Sequence, residues 1–112
     1  MEIRNNNPLD LAGADDEQIT VQTVATGTAY SVAYDLDGEG DALPKFFRFT
    51  LRKDPGNQNM MLLVLFFIFS NAGGGRYDIA VSGSKGGPTA HYTVAQVASE
   101  DSNTIAFTFN VN

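Results

Sequence analysis

Three aspartates and a glutamate fall within seven residues, at Asp35-Leu36-Asp37-Gly38-Glu39-Gly40-Asp41. Carboxylates are hard oxygen ligands, and two glycines let a short loop bend around a cation. Asp35, Asp37, Glu39 and Asp41 are therefore the candidate metal ligands of this chain, with calcium as the candidate cofactor. The opening Asp-x-Asp-Gly is that of a calcium loop. The match ends there: the twelfth position, which needs a bidentate Glu, is Phe46, and no helix is legible on either side. The competing reading, a solvated hairpin loop, is the one the spacing favours.

Other chemistry is sparse. Gly83-Ser84-Lys85-Gly86-Gly87 offers backbone amides and one cation, a combination that can hold an anion. It lacks the phosphate-loop spacing and a following helix, so a loop between strands is the simpler expectation. Ser82 and Lys85 have the Ser-x-x-Lys spacing, but that pairing needs a helical turn to bring Lys onto Ser. His91 is the only histidine, no Gly-x-Ser-x-Gly elbow accompanies it, and cysteine is absent. A nucleophilic triad or a zinc site has little to build on. Paired carboxylates for glycosidase chemistry would need the acidic loop to meet Asp78 or Glu100 across a cleft. The expectation is a protein that is not an enzyme.

The elements that must position these residues have a period of two. Ile19, Val21 and Thr23 alternate with Thr20 and Gln22, and apolar residues alternate with polar or small ones at Tyr30, Val32, Tyr34 and Leu36 and at Phe47, Phe49 and Leu51. The pattern resumes at Tyr77, Ile79 and Val81, at Tyr92 and Val94, and at Ile105, Phe107, Phe109 and Val111. Alternate side chains of a strand point to opposite faces, so each set defines a buried face. Clusters of Gly, Pro, Asn, Asp and Ser separate them, and no segment shows a helical stripe. Including the run described next, this predicts about seven strands. That is the pattern of an all-β, immunoglobulin- or fibronectin-like antiparallel sandwich, with a jelly roll or small barrel as runner-up. Residues 1–112 read as one domain, with 1–17 an extended polar lead-in that has room for one short edge strand. The four tyrosines fall on the faces assigned to the core and tryptophan is absent, which counts against a carbohydrate platform.

One strand breaks the alternation. Met60 to Phe69 is apolar at all ten positions. Ten residues are too few for a membrane-spanning helix, which takes about 20. A strand apolar on both faces must be covered on both. It belongs in the middle of a sheet, and its second face needs loops, the N-terminal segment or a partner subunit. A contiguous apolar patch of that size is rare on monomers.

Composition narrows the partners. The 112 residues carry a formal charge of −6, with 43% hydrophobic and only 18% charged residues. An acidic chain does not suit nucleic acid or an anionic membrane surface. A protein partner or self-association, most simply a homodimer, is the expected interaction. The first residues show no basic region followed by an apolar stretch, so no signal peptide is read there. A secreted or cell-surface setting still suits this sandwich pattern slightly better than others. Tyr77-Asp78-Ile79-Ala80-Val81-Ser82-Gly83 and Asn103-Thr104-Ile105 resemble short stretches of the fungal immunomodulatory proteins, fibronectin-like sandwiches of similar length. The spacing between the two pieces is shorter here and no amphipathic N-terminal helix is legible, so no residue role is carried over. The expected function is a non-catalytic binding or assembly module. The alternative is a calcium-stabilised accessory domain of a secreted protein, with carbohydrate as a target it could serve.

Overall fold

A computed structural model describes residues 9–27, 29–69, 75–95 and 102–112. All seven expected strands form: β2 (Gln18–Thr26), β3 (Ala29–Leu36), β5 (Phe46–Thr50), β6 (Met60–Phe69), β7 (Arg76–Gly83), β8 (Thr89–Ala95) and β9 (Ser102–Val111). Two more join them. β1 (Leu9–Gly13) lies in the lead-in, and β4 (Glu39–Ala42) is the return arm of the acidic loop. A single 3₁₀ turn at Pro55–Asn57 precedes β6, started by Asp54, whose side chain accepts from the Gly56 N–H. None of the described segments is a helix long and apolar enough to cross a membrane.

The strands form two packed sheets, one ordered β1-β9-β6-β3-β4 and the other β5-β2-β7-β8. This is a β-sandwich. It is the sandwich that the alternation predicts, with one parallel pair added: β1 runs parallel to β9, pairing Leu9 with Phe107 and Gly13 with Val111. Parallel neighbours need a long connection between them, and here the rest of the sandwich supplies it.

The alternating apolar residues meet between the sheets. Phe67, Phe107, Phe109, Ile19, Leu63, Leu65, Ile79 and Ile105 are fully buried there. Rings bridge the layers: Phe49 of one sheet meets Phe109 of the other edge-on at 5.3 Å, and Phe67 meets Tyr77 at 5.0 Å. Edge-to-face and tilted pairs place ring edges against ring faces, as the aromatic quadrupole prefers. Tyr34 and Tyr92 are half-buried and pack against the same core, as do Val32 and Leu36. The side chain of Tyr30 lies outside the described residues.

Three of the four sheet edges carry charge: Asp10 on β1, Glu39 and Asp41 on β4, and Arg48 on β5. Charged side chains on an edge discourage pairing with a further strand. The fourth edge, β8, has none.

Candidate functional site

The acidic loop folds as a two-residue hairpin turn. Asp37 and Gly38 both have positive φ, 49° and 93°, as the tight turn joining two twisted antiparallel strands requires. Asp37 tolerates that conformation and Gly38 adopts it without strain. The carboxylates serve the turn. Asp35 Oδ1 accepts from the Gly38 N–H at 2.8 Å, and Asp37 Oδ1 accepts from the Leu62 N–H at 2.9 Å. The pleat separates the rest. Asp35 faces outward beside Gly40, whereas Asp41 lies opposite Tyr34 and Glu39 opposite Leu36, on the other face. Asp41 Oδ1 accepts from the Ala42 N–H. The four candidate ligands are thus not brought to one point. Among the described residues no three His, Asp or Glu side chains gather as a metal would need.

A different carboxylate proves central. Glu17 closes the acidic run Asp15-Asp16-Glu17 of the polar lead-in, yet it is fully buried. Its Oε1 accepts from the Ala14 N–H at 2.9 Å, and its Oε2 from the N–H groups of Lys85 and Gly87 at 3.0 and 2.9 Å. The glycine-rich loop therefore does hold an anion through its amides, and the anion is this chain's own. These bonds lower the Glu17 pKa, with the Ala14 amide contributing most. Desolvation opposes the shift, and the Gly87 and Lys85 amides and the Lys85 charge add to it. The glycines are needed for space: a Cβ at Gly83 or Gly87 would collide with the carboxylate. Around this anchor Ser84 bonds both ways with Gln18, its N–H to the Gln18 carbonyl and its Oγ from the Gln18 N–H. Lys85 Nζ reaches the Asp15 carbonyl at 3.2 Å. The neighbours of Glu17 are also engaged, Asp15 by the Lys53 N–H and Asp16 by Arg52. One signal could have found Glu17: it is in phase with Ile19 and Val21, the inward set of β2.

The remaining titratable candidates stay apart. His91 is exposed on the outer face of the smaller sheet, in a shallow concavity of about 180 Å³ with Gln22, Val24 and Asp78. Asp78 is already engaged by Thr93 Oγ1 at 3.0 Å and by Arg76 at 3.6 Å. Glu100 lies outside the described residues.

The most distinctive surface is apolar. In β6 the odd residues Leu63, Leu65, Phe67 and Phe69 are buried, and the even ones face away from the core. Leu62 is 42% exposed, Phe66 42% and Ile68 45%, with Met60 and Val64 half-buried in the same row. β6 is the middle strand of its sheet, so this row forms a ridge down the centre of the outer face. Small side chains flank it. On β9 the residues opposite Ile68, Phe66, Val64 and Leu62 are Ser102, Thr104, Ala106 and Thr108. On β3, Ser31 and Ala33 lie opposite Ile68 and Phe66, and Asp35 lies opposite Val64. Asp10 of β1 sits beyond Thr108.

These features define a β-sandwich with an internally clamped carboxylate and one exposed apolar ridge. Compared with protein-family models, curated proteins and solved structures, the chain matches none significantly.

Proposed function

We propose that this protein is a non-catalytic binding module that docks an apolar protein surface onto the outward face of β6. The single observation behind this reading is the ridge of Met60, Leu62, Val64, Phe66 and Ile68, left toward water in the centre of a sheet. Burying apolar area releases roughly 25 cal/mol per Å², so a row of large side chains here is a strong drive toward association. The polar groups add support. Glu17 is saturated by three amides, and Asp35 and Asp37 are occupied by the hairpin and β6, so these carboxylates serve architecture.

Retention on a phenyl-substituted support, loaded at nanomolar concentration, tests the reading. The wild type should be retained, and Leu62→Lys and Phe66→Lys should elute early with unchanged circular dichroism. Equal retention of wild type and both variants would refute the ridge as a docking surface.

A further inference from the structure

The binding reading leaves the partner open, and the shape and charge of the face narrow it. We infer that the partner is a second copy of this chain, packed face to face across a two-fold axis, with the β6 ridge of each copy in the β9 trough of the other. The inference rests on the binding reading above and adds the identity of the occupant.

Area comes first. Five strands about 4.8 Å apart and up to ten residues long at about 3.3 Å each give a face of roughly 24 by 33 Å. Allowing for the shorter β1, β3 and β4, that is roughly 600 Å². An ordinary stable interface buries about 800 Å² per partner. The face reaches the low end of specific interfaces, about 600 Å² per partner.

Shape comes second. A two-fold interface needs a patch that complements itself. This one has a central ridge, Leu62, Phe66 and Ile68, beside a row of small residues, Ser102, Thr104 and Ala106. A two-fold axis parallel to the strands, between β6 and β9, sets each ridge over the other copy's trough. Two sheets packed in this way sit about 10 Å apart, the spacing of a sandwich core.

Charge selects which trough. The β3 side carries Asp35 beside Val64, and seating a ridge there would bury a charged carboxylate. The β9 row has no charge. With the ridge on β9, Asp10 of each copy meets Asp35 of the other at the rim of the overlap, a repulsion that water and salt can screen. Each copy carries −6, so the two repel over distance and salt should tighten the dimer by screening.

Sedimentation equilibrium of the full chain from about 0.1 to 100 µM is the test. The wild type should be a dimer whose affinity rises from 0.05 to 0.5 M NaCl. Phe66→Lys should be a folded monomer. Ala106→Gln, which fills the β9 trough without adding charge, should weaken the dimer at least tenfold. Ala33→Gln, which fills the β3 trough, should change it less than threefold. A folded variant is identified by wild-type circular dichroism, and Ile68→Glu replaces Phe66→Lys if the latter does not fold. A monomeric wild type at 100 µM overturns the inference. So does a dimer that survives Phe66→Lys, which would point to another surface such as the uncharged β8 edge. So does Ala33→Gln weakening the dimer more than Ala106→Gln. A monomeric wild type that the phenyl support still retains through Leu62 and Phe66 defeats only the second copy as occupant. A monomer whose retention ignores those residues defeats the docking surface as well.

Discussion

Replacing Glu17 by Gln changes one atom of a fully buried side chain and should be among the most damaging conservative substitutions in this protein. The carboxylate accepts three backbone hydrogen bonds, at 2.9, 3.0 and 2.9 Å. A hydrogen bond to a charged acceptor is worth about 1.5–3 kcal/mol. Gln keeps one acceptor oxygen, which can serve Ala14, but it turns an NH₂ toward the Lys85 and Gly87 amides. Two charged acceptor bonds are lost and two donors are left facing a donor. The 84–87 loop is exposed on its outer side, so water softens the loss, and the lower end for each bond gives about 3 kcal/mol. For a domain of this size that is roughly a 10–15 °C fall in Tm. The dependence on pH gives an internal check. The native carboxyl is held below its ordinary 4.5. Its stabilisation is therefore fully present above the unfolded pKa and is lost as pH falls through the lower native value. The difference between wild type and Glu17→Gln should be constant from pH 6 to 8 and shrink below about pH 4.5. Urea unfolding followed by circular dichroism at a series of pH values measures it. Taking the difference cancels the other carboxylates to first order. A loss below about 1 kcal/mol at pH 7, or a difference that stays the same down to pH 3, would refute the clamp.

Other outcomes follow from the same geometry. Phe107→Ala, at a fully buried position beside Tyr92 and Phe109, should cost about 3–5 kcal/mol in denaturant. A loss under 1 kcal/mol would put that face outside the core. Gly83→Ala should destabilise by several kcal/mol, because its methyl would land on the Glu17 carboxylate. Gly86→Ala meets open space and is strained only by its φ of 76°, so calorimetry should show a cost of about 1 kcal/mol. Calcium at millimolar concentration should leave Tm within about a degree, because the pleat turns Asp35 away from Glu39 and Asp41. A clear rise abolished by Asp37→Asn would restore the metal reading.

Period-two alternation made the sandwich legible, because each inward residue must meet the opposite sheet and so leaves a mark every second position. β1 and β4 were harder to read. β4 is Glu-Gly-Asp-Ala, exposed at all four positions, and is held by its hairpin rather than by burial. β1 owes its place to parallel pairing with a strand nearly a hundred residues away, which no local pattern announces. The site was the least legible part. Carboxylate clustering drew attention to Asp35 through Asp41, where local turn bonding accounts for the acids. The buried Glu17 hid within an ordinary acidic turn, because two of the three amides that make its burial tolerable come from residues 85 and 87.

The outward row of β6 is not something the sandwich requires. β9 lies next to β6 in the same sheet, pairs with it along its length, and buries Ile105, Phe107 and Phe109 on its inner face. Its outer face is Ser102, Thr104, Ala106, Thr108 and Asn110. A central strand of this fold can therefore be apolar within and polar without. Substituting Leu62, Phe66 and Ile68 together by threonine, a strong strand former, should leave a folded monomer with a lowered Tm, since these residues, 42–45% exposed, still bury part of their apolar area on the sheet. The same triple variant should lose its dimer and its retention on an apolar support. If instead it unfolded, the row would be serving the monomer's own core. Folding with lost association would place the value of these side chains outside the single chain.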